Sequence, residues 1–401
     1  MTIRRAIIFL ALGETIVWAG MYYLFPALLL RWEAAEGWSK TTLTAAFAGA
    51  VIVSGLVAPF MGRLIDRGIG PQVMTGAALF GAVLLALLPL AGSIWTFALI
   101  WLFIGVAMGA TLYEPCFAMI TRTRGLQARR AITLVTLVAG LAGTLSFPLN
   151  HLVAEAMGWR AATLTFAGLI AFVGAPLLWF GASHLERGFT ATRTVQPEDA
   201  AQDRGALHAA LRSPVFWGLA TGFALLGVNH GVIIGHLLPI LNDRGVAAET
   251  AVLAASMIGP MQVAGRLAMM AAERHVSSHT ITIACFVAVA AAAASLYAAA
   301  FAPTLIVAFV ILQGAGYGVV SIMRPVALRE MMGERSFGAI SGAMAVPYLI
   351  SAALAPFMGS LLWTVGGYDL VLYCVLGLCL IGFLAYRMAV VYSPSNNAVD
   401  R

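Results

Sequence analysis

Runs of about twenty apolar residues, each closed by a short polar or glycine-proline stretch, recur twelve times along the chain. Each is long enough to cross the roughly 30 Å hydrocarbon core of a bilayer as a helix. The pattern places them at 6–30, 41–61, 72–92, 95–120, 131–152, 161–182, 214–240, 248–265, 279–299, 304–328, 337–362 and 368–390; they are numbered here as spans 1 to 12. The one long polar stretch, 183–213, carries Glu186, Arg187, Arg193, Glu198, Asp199, Asp203, Arg204 and Arg212. It separates an N-terminal bundle, 1–182, from a C-terminal bundle, 214–401. The predicted fold class is therefore an all-α membrane protein of twelve transmembrane helices in two pseudo-symmetric six-helix bundles.

The halves echo one another. Span 1 carries Pro26 where span 7 carries Pro239, span 2 ends in Gly62-Arg63 where span 8 ends in Gly265-Arg266, and span 4 has Glu114-Pro115 where span 10 has Arg324-Pro325. The offsets are 213, 203 and 210 residues. Two similar halves related by an axis along the membrane normal are a transporter architecture, with the site near the midplane.

Polar residues inside the spans mark candidate chemistry. Gln313, Tyr317, Ser321 and Arg324 are spaced four, four and three apart, one face of span 10. An arginine at that depth costs about 2.5–3.5 kcal/mol on insertion scales, so it should face protein or a water-filled cavity. On span 1, Glu14, Trp18, Tyr22 and Phe25 repeat the same spacing, with Trp18 a platform for an organic group. Thr111 and Glu114 are expected to share a face of span 4. On span 7, Asn229 and His236 share a face and His230 points elsewhere; Gln262 and Tyr348 rank after these. At 1.5 Å per residue, Glu14, Glu114 and Arg324 all fall in the inner half of the membrane. A guanidinium fork suits an oxyanion, and a carboxyl in a low-dielectric site exchanges protons nearer neutrality than one in water.

Composition agrees: 61% of residues are hydrophobic and 10% charged, against about 25% charged in soluble domains. The net charge of +6 sets topology and does not indicate nucleic acid. With the N-terminus inside, eighteen basic residues fall on the inner side, four on the outer (Arg31, Lys40, Arg160, Arg244), and Arg324 in the membrane. The positive-inside rule then makes both termini and the linker cytoplasmic. Arg4 and Arg5 before an apolar run imitate a signal peptide, but the run continues past Glu14 and reads as span 1. The four cysteines have neither metal-ligand nor disulfide spacing. No HExxH pair, Gly-x-Ser-x-Gly elbow or P-loop occurs, so no enzyme activity, metal or cofactor is expected. Gly314-Ala315-Gly316-Tyr317-Gly318 lies inside a span, where small residues serve helix packing.

Between spans 2 and 3 the chain reads Gly62-Arg63-Leu64-Ile65-Asp66-Arg67-Gly68-Ile69-Gly70. This loop, with twelve spans in two halves, resembles the major facilitator superfamily, although Pro71-Gln72 stands where a basic pair is usual. The resemblance implies that spans 1, 4, 7 and 10 line a central cavity and that the protein carries a small molecule by alternating access. It also implies a monomer, and assigns Gly62, Asp66, Arg67, Gly265 and Arg266 to the gates. Gly62 is expected to permit close helix approach, Asp66 to accept from helix N-terminal amides, and Arg67 to pair across the cytoplasmic gate.

Gly37-Trp38-Ser39, Arg129-Arg130-Ala131, Gly158-Trp159-Arg160 and Gly259-Pro260 through Gly265-Arg266 resemble bacterial monocarboxylate-porter-like and oxalate/formate-antiporter-like members. Those carriers use a basic residue inside span 8; here Arg266 is placed at the cytoplasmic end of that span, and span 1 has Glu14 in place of a lysine. The expectation is a proton-coupled symporter of an organic anion in a bacterial inner membrane. Its partners are the solute, protons and the bilayer. Arg324 would alternate between Glu114 and cargo, and protonation of Glu114 or Glu14 would free it. The alternative is a proton-coupled drug or cation exporter of the same fold, which two intramembrane acids would suit.

Overall fold

Each described regular element is helical. The computed structural model describes residues 2–124, 128–188, 208–333 and 337–393, apart from the side chains of Pro59, Asp66, Arg129 and residues 337–339. Among them, ten helical stretches are long and apolar enough to cross a membrane. Two, Arg130–Arg187 with 58 residues and Ile340–Val391 with 52, would reach about 80–90 Å as single helices. Each is cut by glycine: Gly158 (φ 83, ψ 166) in the first, Gly366 and Gly367 (φ 67, ψ −168) in the second. Only glycine adopts such positive φ without strain. These two stretches supply spans 5 and 6 and spans 11 and 12, which completes the twelve.

Inside the spans the helices are less regular than the hydrophobic pattern suggests. Span 1 consists of Ile3–Trp18, a π-helical turn Ala19–Tyr23, and Leu24–Glu36. Pro26 lacks the N–H that the Tyr22 carbonyl would accept, and a wider turn accommodates the loss. Ser146 Oγ donates to the Ala19 carbonyl at 2.8 Å. Asn150 Nδ2 in turn donates to the Ser146 carbonyl at 2.9 Å. Span 4, expected unbroken over 95–120, is two helices, Ile94–Thr111 and Tyr113–Arg124, parted at Leu112 (φ −76, ψ −156). Pro115 is the cause: its ring excludes the carbonyl four residues back, that of Thr111. Pro325, by contrast, sits within the unbroken helix Leu305–Met332. Span 8 runs on to Ala272 and span 6 to Arg187, both beyond their expected ends.

Contacts divide the chain into two compact units, Met1–Ala191 with Gly235–Pro260 and Thr192–Ile234 with Met261–Arg401. The first has an aromatic core in which Phe25 stacks on Phe47 at 4.4 Å and meets Trp101 edge-on at 5.1 Å. In the second, Phe223, Phe286 and Tyr386 are buried together.

The repeat reappears in how helices cross within each unit. A Cβ at Gly109 would collide with the Ser54 carbonyl, and one at Gly318 with the Gln262 carbonyl. Gly109 and Gly318 are 209 residues apart, Ser54 and Gln262 208. Small residues let backbones approach this closely in a bilayer, where packing replaces the hydrophobic drive. At Gly62, by contrast, a Cβ meets nothing within 4 Å among the described residues of its unit. A 208-residue offset also displaces the Gly62-Arg63 and Gly265-Arg266 match by five residues, about one and a half turns.

Candidate functional site

In the second unit four spans converge on a polar and aromatic chain of side chains. Gln313, fully buried, donates through Nε2 to Asn229 Oδ1 at 3.2 Å. Asn229 Nδ2 donates to Cys379 Sγ at 3.1 Å. Gln313 Nε2 also lies 3.4 Å from His230 Nδ1. His230 therefore joins Asn229 in one network, contrary to the expectation that it points elsewhere: neighbouring residues on a helix are only about 100° apart, and Gln313 reaches both. The His230 ring stacks on Tyr317 at 3.5 Å and 6°. Tyr317 and Tyr348 share a hydrogen bond between hydroxyls, and the Arg324 guanidinium lies over the Tyr348 ring, 4.3 Å from its centre. Asn229 and Gln313 are closed off, whereas His230, Tyr317, Tyr348 and Arg324 are half-buried.

Such a cation–π contact is worth about 0.5–2 kcal/mol according to desolvation. It occupies the face of the guanidinium and leaves the in-plane N–H donors for an oxyanion. Among the described residues of its own unit, no acid forms an ion pair with Arg324. Arg266, expected at the end of span 8, lies six residues inside it. It is buried and donates from Nε to the Gly318 carbonyl at 2.8 Å, which fastens span 8 to span 10 at the glycine crossing. Gly265 shares that crossing, its Cβ position blocked by the Ala315 carbonyl.

In the first unit Glu14 is fully buried, and among the described residues neither carboxyl oxygen meets a partner at full hydrogen-bond geometry. Its polar neighbours are Cys116, Glu114 and Trp18. The Trp18 ring packs against Tyr22 at 5.1 Å and Tyr113 at 4.6 Å. Phe25 leaves this face for the core because the π turn shifts the register after Trp18. Glu114 is exposed in the first turn of Tyr113–Arg124, where unpaired helix N–H groups favour its charge. Thr111 does not share its face: its hydroxyl is buried and donates to the Met74 carbonyl at 3.1 Å, because the break at Leu112 separates the two. His236 is buried and belongs to the first unit.

At the signature loop, Gly68 (φ 90) presents its backbone to the Arg122–Glu186 ion pair; a Cβ there would sit 3.3 Å from Glu186 Oε1 and 3.4 Å from Arg122 Nη2. The pair, bonded at 2.6 Å between Nη1 and Oε2, was missed in the sequence, where Arg122 counts only toward topology and Glu186 toward the linker. Arg67 is exposed. The side chains of Asp66 and Arg129 and most of the linker, 189–207, lie outside what is described.

Ten helical stretches among the described residues, each long and apolar enough to cross a bilayer and some carrying charged side chains within them, fit a multi-pass membrane protein. The sequence profile of the Major Facilitator Superfamily matches residues 10–346, and the chain belongs to that superfamily, whose members move small molecules across membranes. A bacterial homologue of the human lysosomal transporter Spinster, inward-facing and unoccupied, has a similar structure. Its TM-score is 0.74 over 98% of this chain and 98% of its own, at 14% identity. The human organic anion transporter MFSD10 (TETRAN) aligns with a TM-score of 0.64 over 96% of this chain and 100% of its own, at 16% identity. No curated protein matches the sequence.

Proposed function

We propose that the protein is a proton-coupled carrier of an organic anion, working as a monomer by alternating access in a bacterial inner membrane with both termini cytoplasmic. The division into bundles 1–182 and 214–401 joined by the linker 183–213 belongs to the same reading. One observation carries it: Arg324, deep in an apolar helix, is held by an aromatic face and has no acid partner among the described residues of its unit. Burying a cation is costly, and a carboxylate cargo would offset that cost with two charge-assisted hydrogen bonds. Glu14 and Glu114 serve as the proton-exchanging groups. Glu14 suits the task because it is fully buried, so adding or removing one proton changes its environment sharply. MFSD10, which is described as an organic anion transporter, shares the fold and is consistent with this cargo.

A second reading, export of a lipophilic cation, is favoured by a different observation: Trp18 lies beside Glu14 and packs against Tyr22 and Tyr113, and aromatic faces with an acid suit a cation. Thermal stabilisation of the purified protein by a panel of carboxylates and a panel of lipophilic cations separates the two. The anion reading expects stabilisation by carboxylates that disappears in Arg324→Ala; stabilisation by cations alone overturns it.

A further inference from the structure

Arg324 is flanked by more aromatic surface than an anion by itself requires. Tyr348 carries the guanidinium on its face, Tyr317 is tied to Tyr348 through their hydroxyls, and His230 lies flat on Tyr317. All four side chains are half-buried, whereas the amides of Gln313 and Asn229 are closed off behind them. The two phenol hydroxyls are bonded to each other, so the open side of the cluster offers one guanidinium edge and aromatic faces.

We infer that the cargo is a carboxylate with a flat aromatic body, its carboxylate on the in-plane edge of Arg324 and its ring along Tyr348 and Tyr317. This narrows the anion reading above and rests on it. Length supports the assignment. Tyr317 and Arg324 lie on one face of the helix, seven residues and so about 10 Å apart along its axis. A three-carbon acid, about 4 Å long at 1.5 Å per bond, touches the guanidinium and leaves Tyr317 uncovered. An arylpropionate spans most of the distance.

Selectivity also follows from which groups are exposed. A site that recognises a small hydroxy acid aims hydrogen-bonding groups at the hydroxyl. Here the amides bond to one another and to Cys379. Recognition of the cargo's body falls to the ring faces, which favour other flat rings. Tyr348 is in this scheme a positioning residue: its face fixes the guanidinium without using the N–H donors that the carboxylate needs.

The test is competition for uptake by the full-length protein in proteoliposomes, with 3-phenylpropionate compared against lactate and acetate. In the unaltered protein 3-phenylpropionate half-saturates at roughly tenfold lower concentration than the short acids, the size expected for one aromatic contact. Tyr348→Leu closes that gap by raising the KM of the aryl acid more than that of the short acids, and Tyr348→Phe keeps it open. Tyr317→Leu closes it as well, which guards against a folding defect in a single variant. Equal half-saturation by short and aryl acids, or a gap that persists in Tyr348→Leu, overturns the inference and leaves the anion reading standing. Failure of every carboxylate to compete overturns both.

Discussion

A methyl group at Gly318 should damage the protein, and the same methyl at Gly62 should not. At Gly318 a Cβ runs into the backbone carbonyl of Gln262, which cannot move aside as the tip of a flexible side chain can. It would also displace the Gly318 carbonyl from Arg266 Nε, now 2.8 Å away. Overpacking of this kind costs about 1–3 kcal/mol, and helix propensity returns at most about 1 kcal/mol of it. At Gly62 nothing lies within 4 Å, so only the propensity gain of roughly 0.5–1 kcal/mol remains. The propensity gain is common to both, so Gly318→Ala is expected to be less stable than Gly62→Ala by the overpacking cost, about 1–3 kcal/mol. Reversible unfolding of the purified protein in mixed micelles, followed by tryptophan fluorescence, measures this. Equal loss in the two variants, or a larger loss in Gly62→Ala, would show that the close crossing had been assigned to the wrong glycine.

Two further outcomes concern structure. Ser146→Ala removes the donor to the Ala19 carbonyl at the π turn and should cost about 1–3 kcal/mol in the same assay; no change would mean that the turn needs no outside support. Arg122→Gln, which leaves Glu186 without the partner it holds at 2.6 Å, should lower stability more than the double variant Arg122→Gln/Glu186→Gln, because an unpaired part-buried charge is worse than none. A double variant as unstable as the single would contradict this.

The twelve spans were legible because bilayer thickness and the cost of polar groups in hydrocarbon fix length and composition almost independently of packing. The candidate residues Arg324, Tyr317, Gln313 and Asn229 were legible for a related reason: polar side chains at a helical period inside apolar runs need a partner or a function. What the sequence did not reveal depends on tertiary contacts. Glu114-Pro115 and Arg324-Pro325 look alike, yet only the first interrupts its helix. Next to the interruption Thr111 turns its hydroxyl to the Met74 carbonyl, while upstream of Pro325 span 10 is fastened at Gly318 by Arg266. The Gly62-Arg63 and Gly265-Arg266 pairs likewise match as strings but not in depth, since the crossings align Ser54 with Gln262. Tyr348 gained its importance only when span 11 brought its ring beneath Arg324; nothing in its own neighbourhood of the chain points there.

The whole account turns on Arg324 as the anion-binding group. Uptake of the carboxylate that best stabilises the protein, driven by an imposed pH gradient in proteoliposomes, should fall by roughly a hundredfold or more in Arg324→Ala, as expected when a buried charge-assisted pair loses one member. Partial recovery is expected in Arg324→Lys, which keeps the charge and loses the fork. Undiminished uptake in Arg324→Ala would contradict the account.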